Sequence, residues 1–80
     1  MSEAEIAASL SAAQKRAVCA ATFRDRDGVW HPGGWYCHAD KRVRYNLCRV
    51  GITRDYLQLS NRLTPLGLAV RAILKEQASA

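Results

Sequence analysis

Between Asp40 and Gly51, three aliphatic side chains recur at i, i+4 and i+7: Val43, Leu47 and Val50. That spacing lays them on one stripe of an α-helix. Asp40 is a good N-cap, and Gly51 stands where a helix commonly ends. The remaining positions, Lys41, Arg42, Arg44, Tyr45, Asn46 and Arg49, occupy the sides and the opposite face. Residues 40–50 therefore read as a three-turn helix with a narrow apolar stripe and a wide cationic face. Any fold built around it must put the core on one side and leave the other to solvent or to a partner.

The rest of the chain has to supply that core within 80 residues, which allows one domain with an economical interior. A hydrophobic fraction of 49% with 24% charged residues is ordinary for a globular chain and unlike a disordered one. Ser2-Glu3-Ala4-Glu5 and Ser11-Ala12-Ala13-Gln14 both fit the capping box, with Glu or Gln three residues after a Ser. Ile6, Leu10, Ala13, Ala17 and Ala20 follow at helical spacing. Residues 1–10 read as an N-terminal arm or short helix and 11–22 as a main helix, with a single continuous helix as the alternative. Asp27-Gly28 and Pro32-Gly33-Gly34 make 23–38 a turn-rich loop with a short strand at Val29-Trp30-His31. Trp30 and Trp35 are its apolar anchors.

Residues 52–63 are rich in β-formers, and Leu57, Leu59 and Leu63 share one parity. This predicts a hairpin with one buried face. Thr64-Pro65 then gives an N-cap followed by proline at the first helical position. Leu66, Val70, Ile73 and Leu74 form the apolar face of a closing helix over 64–77. The predicted class is mainly α with a small β-hairpin, an α+β domain.

Charge narrows the function. Twelve Lys+Arg against seven Asp+Glu give a net charge of +5. Lys41, Arg42, Arg44, Arg49 and Arg54 follow Asp40 with no further acid among them. Such a cluster points to acidic partners, nucleic acid first. The longest apolar run, Ala17 to Ala21, is far short of the ~20 residues of a membrane span. The N-terminal residues lack the pattern of an export signal, so the cytoplasm is the expected location. Three cysteines without that signal read as reduced thiols.

Other chemistry finds little support in the sequence. Cys19, Cys37 and Cys48 with His31 and His38 show none of the paired spacings of structural zinc, so no metal or cofactor is expected. Cys37-His38 has no third orienting group, and neighbouring side chains seldom converge, so no enzyme activity is expected. Gly33-Gly34 follows proline and carries no Lys-Ser/Thr, so it is no phosphate loop. Trp30, Trp35, Tyr36 and Tyr45 offer stacking surfaces for single-stranded bases, although such residues more often fill a small core.

Three short segments carry a family resemblance. They are Leu10-Ser11-Ala12-Ala13-Gln14, Leu47-Cys48-Arg49-Val50-Gly51-Ile52 and Arg62-Leu63-Thr64-Pro65-Leu66-Gly67. In order and spacing they resemble the winged helix-turn-helix DNA-binding domains of MarR-type regulators over roughly residues 10–75. A small prophage or bacterial regulator is the nearest type. The second segment looks like the passage from recognition helix into wing, with one inserted residue. The third is similar to the entry from the wing into the next helix. The family's second helix would fall within Trp30–His38, where Pro32-Gly33-Gly34 leaves room for about one turn.

The resemblance implies sequence-specific binding of double-stranded DNA, with helix 40–50 in the major groove and Lys41 and Arg42 in its first turn. Arg42 or Arg44 then reads guanine, and Asn46 reads adenine. Tyr45 lies on the same exposed side, Arg49 and Arg54 meet phosphate, and Arg62 meets the backbone or minor groove near the wing. Five phosphate contacts imply a log–log salt slope of about −4.5. That modest grip makes a homodimer, joined through the N-terminal helix, an expectation. Replacing Arg42 and Arg44 by Ala is expected to leave the fold intact and abolish binding. The competing expectation is a winged-helix protein–protein adaptor, phage or bacterial, whose cations meet an acidic protein partner. No membrane partner is expected.

Overall fold

The structure, a computed structural model, describes residues 2–26 and 33–79. The chain opens with two short helices, α1 (Glu3–Ser9) and α2 (Ala12–Cys19). Both predicted capping boxes form. The hydroxyl of Ser2 accepts from the Glu5 amide at 3.2 Å, and the Glu5 carboxylate accepts from the Ser2 amide at 3.1 Å. Ser11 and Gln14 repeat the exchange at 3.2 and 2.7 Å. The cap at Ser11 divides the segment, so the chain carries two helices instead of one. The main helix also ends at Cys19, short of the predicted boundary at 22, because Thr22 enters a strand.

The sheet differs from the sequence expectation. It has three antiparallel strands in the order β1 (Thr22–Arg24), β2 (Gly34–His38) and β3 (Ser60–Arg62). Phe23 pairs with Trp35, and Cys37 pairs with Asn61. β2, and all of β1 but Thr22, thus lie in the stretch predicted to be a turn-rich loop. Residues 34–38 form a strand where room for about one turn of helix was expected, because the aromatic Trp35 and Tyr36 favour extended backbone over helix. The predicted strand at Val29–His31 and the anchor Trp30 lie outside the described residues.

The predicted hairpin over 52–63 is a correction too. Only one strand, β3, lies there, and its partner is β2. The segment closes on itself through a single bridge, Thr53 to Leu63, with the Arg54 amide donating to the Arg62 carbonyl at 3.1 Å. Local polar bonds take the chain out of the ladder between them. The Thr53 hydroxyl donates to the Asp55 carbonyl at 3.1 Å, and the Asp55 carboxylate accepts from the Leu57 amide at 3.2 Å. Leu63 keeps its predicted inward position, but Leu57 and Leu59 are 78% and 61% exposed.

α3 (Lys41–Arg49) and α4 (Pro65–Ser79) complete the fold. Leu47, Ile52, Val18 and Val70 are the largest fully buried side chains. They join α2, α3 and α4 around one interior, with Cys37 and Leu63 contributed by the β segments. α1 packs on α4. Among the described residues no helix is long and apolar enough to cross a membrane.

Candidate nucleic-acid interface on helix α3

Both ends of α3 are fixed by the residues that predicted it. The Asp40 carboxylate accepts from the Val43 amide at 3.0 Å. At the other end Gly51 takes a positive φ of 86°, which the Cβ of any other residue would resist. The Gly51 amide donates to the Cys48 carbonyl at 3.0 Å and the Ile52 amide to the Leu47 carbonyl at 2.9 Å. That pair of bonds is a Schellman motif, closed by apolar contact between its third-from-last residue and the one after the glycine. Leu47 and Ile52 hold those two positions and are both fully buried.

With Leu47 inward and Val43 and Val50 packed against the core, the opposite side of α3 is decided by the helical period. Lys41, Tyr45 and Arg49 follow at i, i+4 and i+8, and Arg42 lies beside them; all four are exposed. Among the described residues, no carboxylate pairs with Lys41, Arg42 or Arg49. Asp40, the nearest acid in sequence, is engaged in capping. Four of the predicted site residues therefore form one continuous cationic and aromatic face.

The others are placed differently. Arg44 is half-buried and turned toward the following loop. Its Nε donates to the Tyr56 carbonyl at 3.2 Å, and its Nη1 donates to the Ala39 carbonyl at 3.3 Å. Those bonds use two of the five guanidinium N–H donors within the fold, so Arg44 fastens α3 to the loop. Asn46 sits half-buried on the opposite flank of the helix. Arg54 and Arg62 line a shallow cavity of about 350 Å³ with Trp35, Pro65 and Leu68, and no α3 residue contributes to its wall. Arg54 is exposed, whereas Arg62 is half-buried and lies against Gly34.

The loop beside α3 holds residues that the sequence reading did not assign to the site. The rings of Tyr45 and Tyr56 meet edge to face, with centroids 5.3 Å apart. Tyr56, Leu57 and Leu59 all reach solvent. The parity that Leu57 and Leu59 share with Leu63 pointed to a buried strand face, and local bonds, those of the Asp55 and Asn61 side chains among them, redirect the two leucines. The one available signal was Asp55 itself, whose residue type favours turns stabilised by its own carboxylate.

The remaining candidates resolve by geometry. Cys19, Cys37 and Cys48 are free thiols. Among the described residues no three His, Cys, Asp or Glu side chains gather where a metal ion could sit. His31 lies outside the described residues. Cys37 is buried, and its thiol donates to the Ala17 carbonyl at 3.4 Å. His38 is exposed and bonds the Ser60 hydroxyl at 3.1 Å. Successive strand residues project to opposite faces, so these two do not form a nucleophile–base pair. One face of Trp35 is covered by the Arg71 guanidinium at 4.0 Å, and Phe23 meets the ring edge to face at 5.7 Å. Arg24 stacks over Tyr36 at 5.1 Å. Of the described aromatics considered for base stacking, Tyr45 is the most open.

In comparisons with protein-family models, curated proteins and solved structures, nothing matches this chain.

Proposed function

We propose that this protein binds double-stranded DNA through α3, in the manner of a winged helix-turn-helix regulator. One observation carries the reading: Lys41, Arg42 and Arg49 share an exposed helix face that no described carboxylate neutralises. A helix about 10–12 Å across fits the major groove, and a cationic face gains counterion-release energy on meeting phosphates. In this reading α3 is the recognition helix and the loop closed by Thr53 and Leu63 is the wing. Lys41 and Arg42, in the first turn, meet base edges or the adjacent phosphates. Arg49 and Arg54 meet phosphate, and Asn46 and Arg62 contribute at the margins. The role usually filled by a second helix falls to β2, which leads into the α3 cap through Ala39 and Asp40 alone. A specific operator would require two half-sites, so the reading includes a homodimer on DNA.

The test is equilibrium binding of a fluorescent duplex across a salt series. Four contacts, from Lys41, Arg42, Arg49 and Arg54, predict a log–log slope of about −3.6 for one copy. Replacing Arg42 and Arg49 together by Ala is expected to make the slope shallower by about 1.8. It should also weaken binding severely while the thermal melt stays in place. An unchanged affinity in that double variant, or no duplex binding by the native chain at low salt, would overturn the reading.

A second reading, a protein–protein adaptor, draws on the exposure of Leu57 and Leu59. It predicts early elution from heparin, a flat salt response and a partner held through the loop.

A further inference from the structure

The loop that follows α3 combines two properties. Its backbone is held from several sides. Arg44 bonds the Tyr56 carbonyl, the Asn61 side-chain amide donates to the Gln58 carbonyl at 2.8 Å, and the Ala39 amide donates to the Leu59 carbonyl at 3.4 Å. Asp55 holds the Leu57 amide from within the loop. Yet Leu57 and Leu59, at 78% and 61%, are the most exposed large apolar side chains described. These bonds fix the loop backbone, and the leucines stand out from it into solvent.

Their surroundings say what they meet. Arg54 precedes the leucines in the loop sequence, and the Tyr56 ring rests against Tyr45 at the centre of the cationic face of α3. A second copy brought up to this face would set Lys41, Arg42 and Arg49 against like charges, which disfavours a symmetric dimer there. A polyanion with apolar surface between its charges fits better. In a DNA duplex, phosphates flank stacked bases, and apolar side chains pressed into the minor groove partly unstack a base step and bend the helix.

We infer that Leu57, supported by Leu59, is a wedge that enters the minor groove beside the major-groove site of α3 and bends the duplex. This rests on the DNA-binding reading and adds to it a site, a mode of contact and a consequence for the DNA. Steps that unstack readily, TA and CA/TG, would be preferred at the wedge, giving sequence selectivity that needs no hydrogen bond to a base.

The experiment uses the full chain and a duplex of about 24 base pairs with a central TA step and a donor–acceptor dye pair at its ends. Anisotropy on the same sample establishes saturation. The native chain is expected to bind and to shorten the end-to-end distance by an amount matching a bend of about 20° or more. L57A/L59A is expected to lose most of that bend and to bind about tenfold more weakly, with an unchanged salt slope because no charge is removed. Leu68→Ala, at an exposed leucine on α4, is the control and should bend the duplex as the native chain does. Both wedge leucines are largely solvated, so their loss should leave the thermal melt in place.

Saturated binding without a bend, or an equal bend by L57A/L59A, overturns the wedge and leaves the DNA reading standing. Absence of any duplex binding removes both. Retention on phosphatidylserine vesicles that depends on Leu57, with no bending of DNA, overturns the wedge in favour of an anionic membrane surface.

Discussion

The guanidinium of Arg44 bonds the backbone carbonyl of Tyr56, donating from Nε at 3.2 Å, and so ties the cationic helix to the loop beside it. Its neighbours Lys41, Arg42 and Arg49 are exposed and unpaired with any described acid, so adjacent cations of one helix have different surroundings. The helical period decides which. Arg44 falls on the flank that faces the Tyr56 carbonyl, and the other three fall on the solvent side.

Arg44→Ala should therefore behave as a stability variant. Two carbonyls lose a charged donor in a half-buried setting, a cost of about 1–2 kcal/mol. For a domain of this size the Tm would drop by roughly 5–10 °C. Proteolysis should quicken at Tyr56–Leu59, where the loop loses its tether to α3. If Arg44→Ala melts like the native chain yet loses duplex affinity as Arg42→Ala does, the assignment is wrong.

Asp40 offers a way to separate cap from charge. Asp40→Ala removes the acceptor of the Val43 amide and should cost about 1 kcal/mol. Asp40→Asn keeps a good cap and removes one negative charge beside the cationic face. Its stability should stay near native, while duplex affinity at low salt rises about two- to threefold and the gain fades as salt screens it. Thermal melts and duplex titrations on both variants check this.

Gly67 is placed in α4 by proximity, against its own helix propensity. A methyl added there would overlap the Ile52 carbonyl oxygen. That carbonyl also accepts from the Thr64 amide at 2.9 Å, part of the junction where the Thr64 hydroxyl caps α4 by accepting from the Gly67 amide at 3.0 Å. In an open helix Gly→Ala gains about 1 kcal/mol. Here the overlap, about 1–3 kcal/mol, should outweigh it. Gly67→Ala is expected to melt below the native chain, and a higher Tm would show that the junction has room.

Burial pushes the Cys37 thiol up to about 11 from its ordinary 9.0. The neutral thiol is thus favoured in the fold, and its contribution to stability is fully present below pH 9.0. As pH rises from 9.0 toward 11 the unfolded chain ionises first, and that contribution falls. Chemical denaturation across this range should show a loss in the native chain that is reduced in Cys37→Ala, once other titrating groups cancel in the difference. Cys37 should also alkylate more slowly than Cys19 or Cys48, which are half-buried.

Much of this was legible in residue order. The capping boxes at Ser2 and Ser11, the Asp40 cap, the Gly51 stop and the Thr64-Pro65 entry are local motifs, closed within a few residues by bonds between side chains and nearby backbone. The stripe of Val43, Leu47 and Val50 likewise fixes which side of α3 is buried, because a helix has one period and a small domain one core. Those features determined the helices and put Lys41, Arg42, Tyr45 and Arg49 on a common face.

Tertiary structure decided the partners of the strands and the fate of the loop. β3 pairs with β2, more than twenty residues earlier, and no local pattern names a partner at that distance. The parity of Leu57, Leu59 and Leu63 is compatible with one buried face, and Asp55 and Asn61 draw the chain out of the sheet before Leu57 and Leu59 can use it. Arg44 is chemically equivalent to Arg42 in the sequence; only the folded chain, which brings the carbonyls of Ala39 and Tyr56 within reach, makes it a fastening between α3 and the loop. Local order follows from short-range bonds, whereas the choice among equivalent side chains depends on which unpaired groups the folded chain brings within reach.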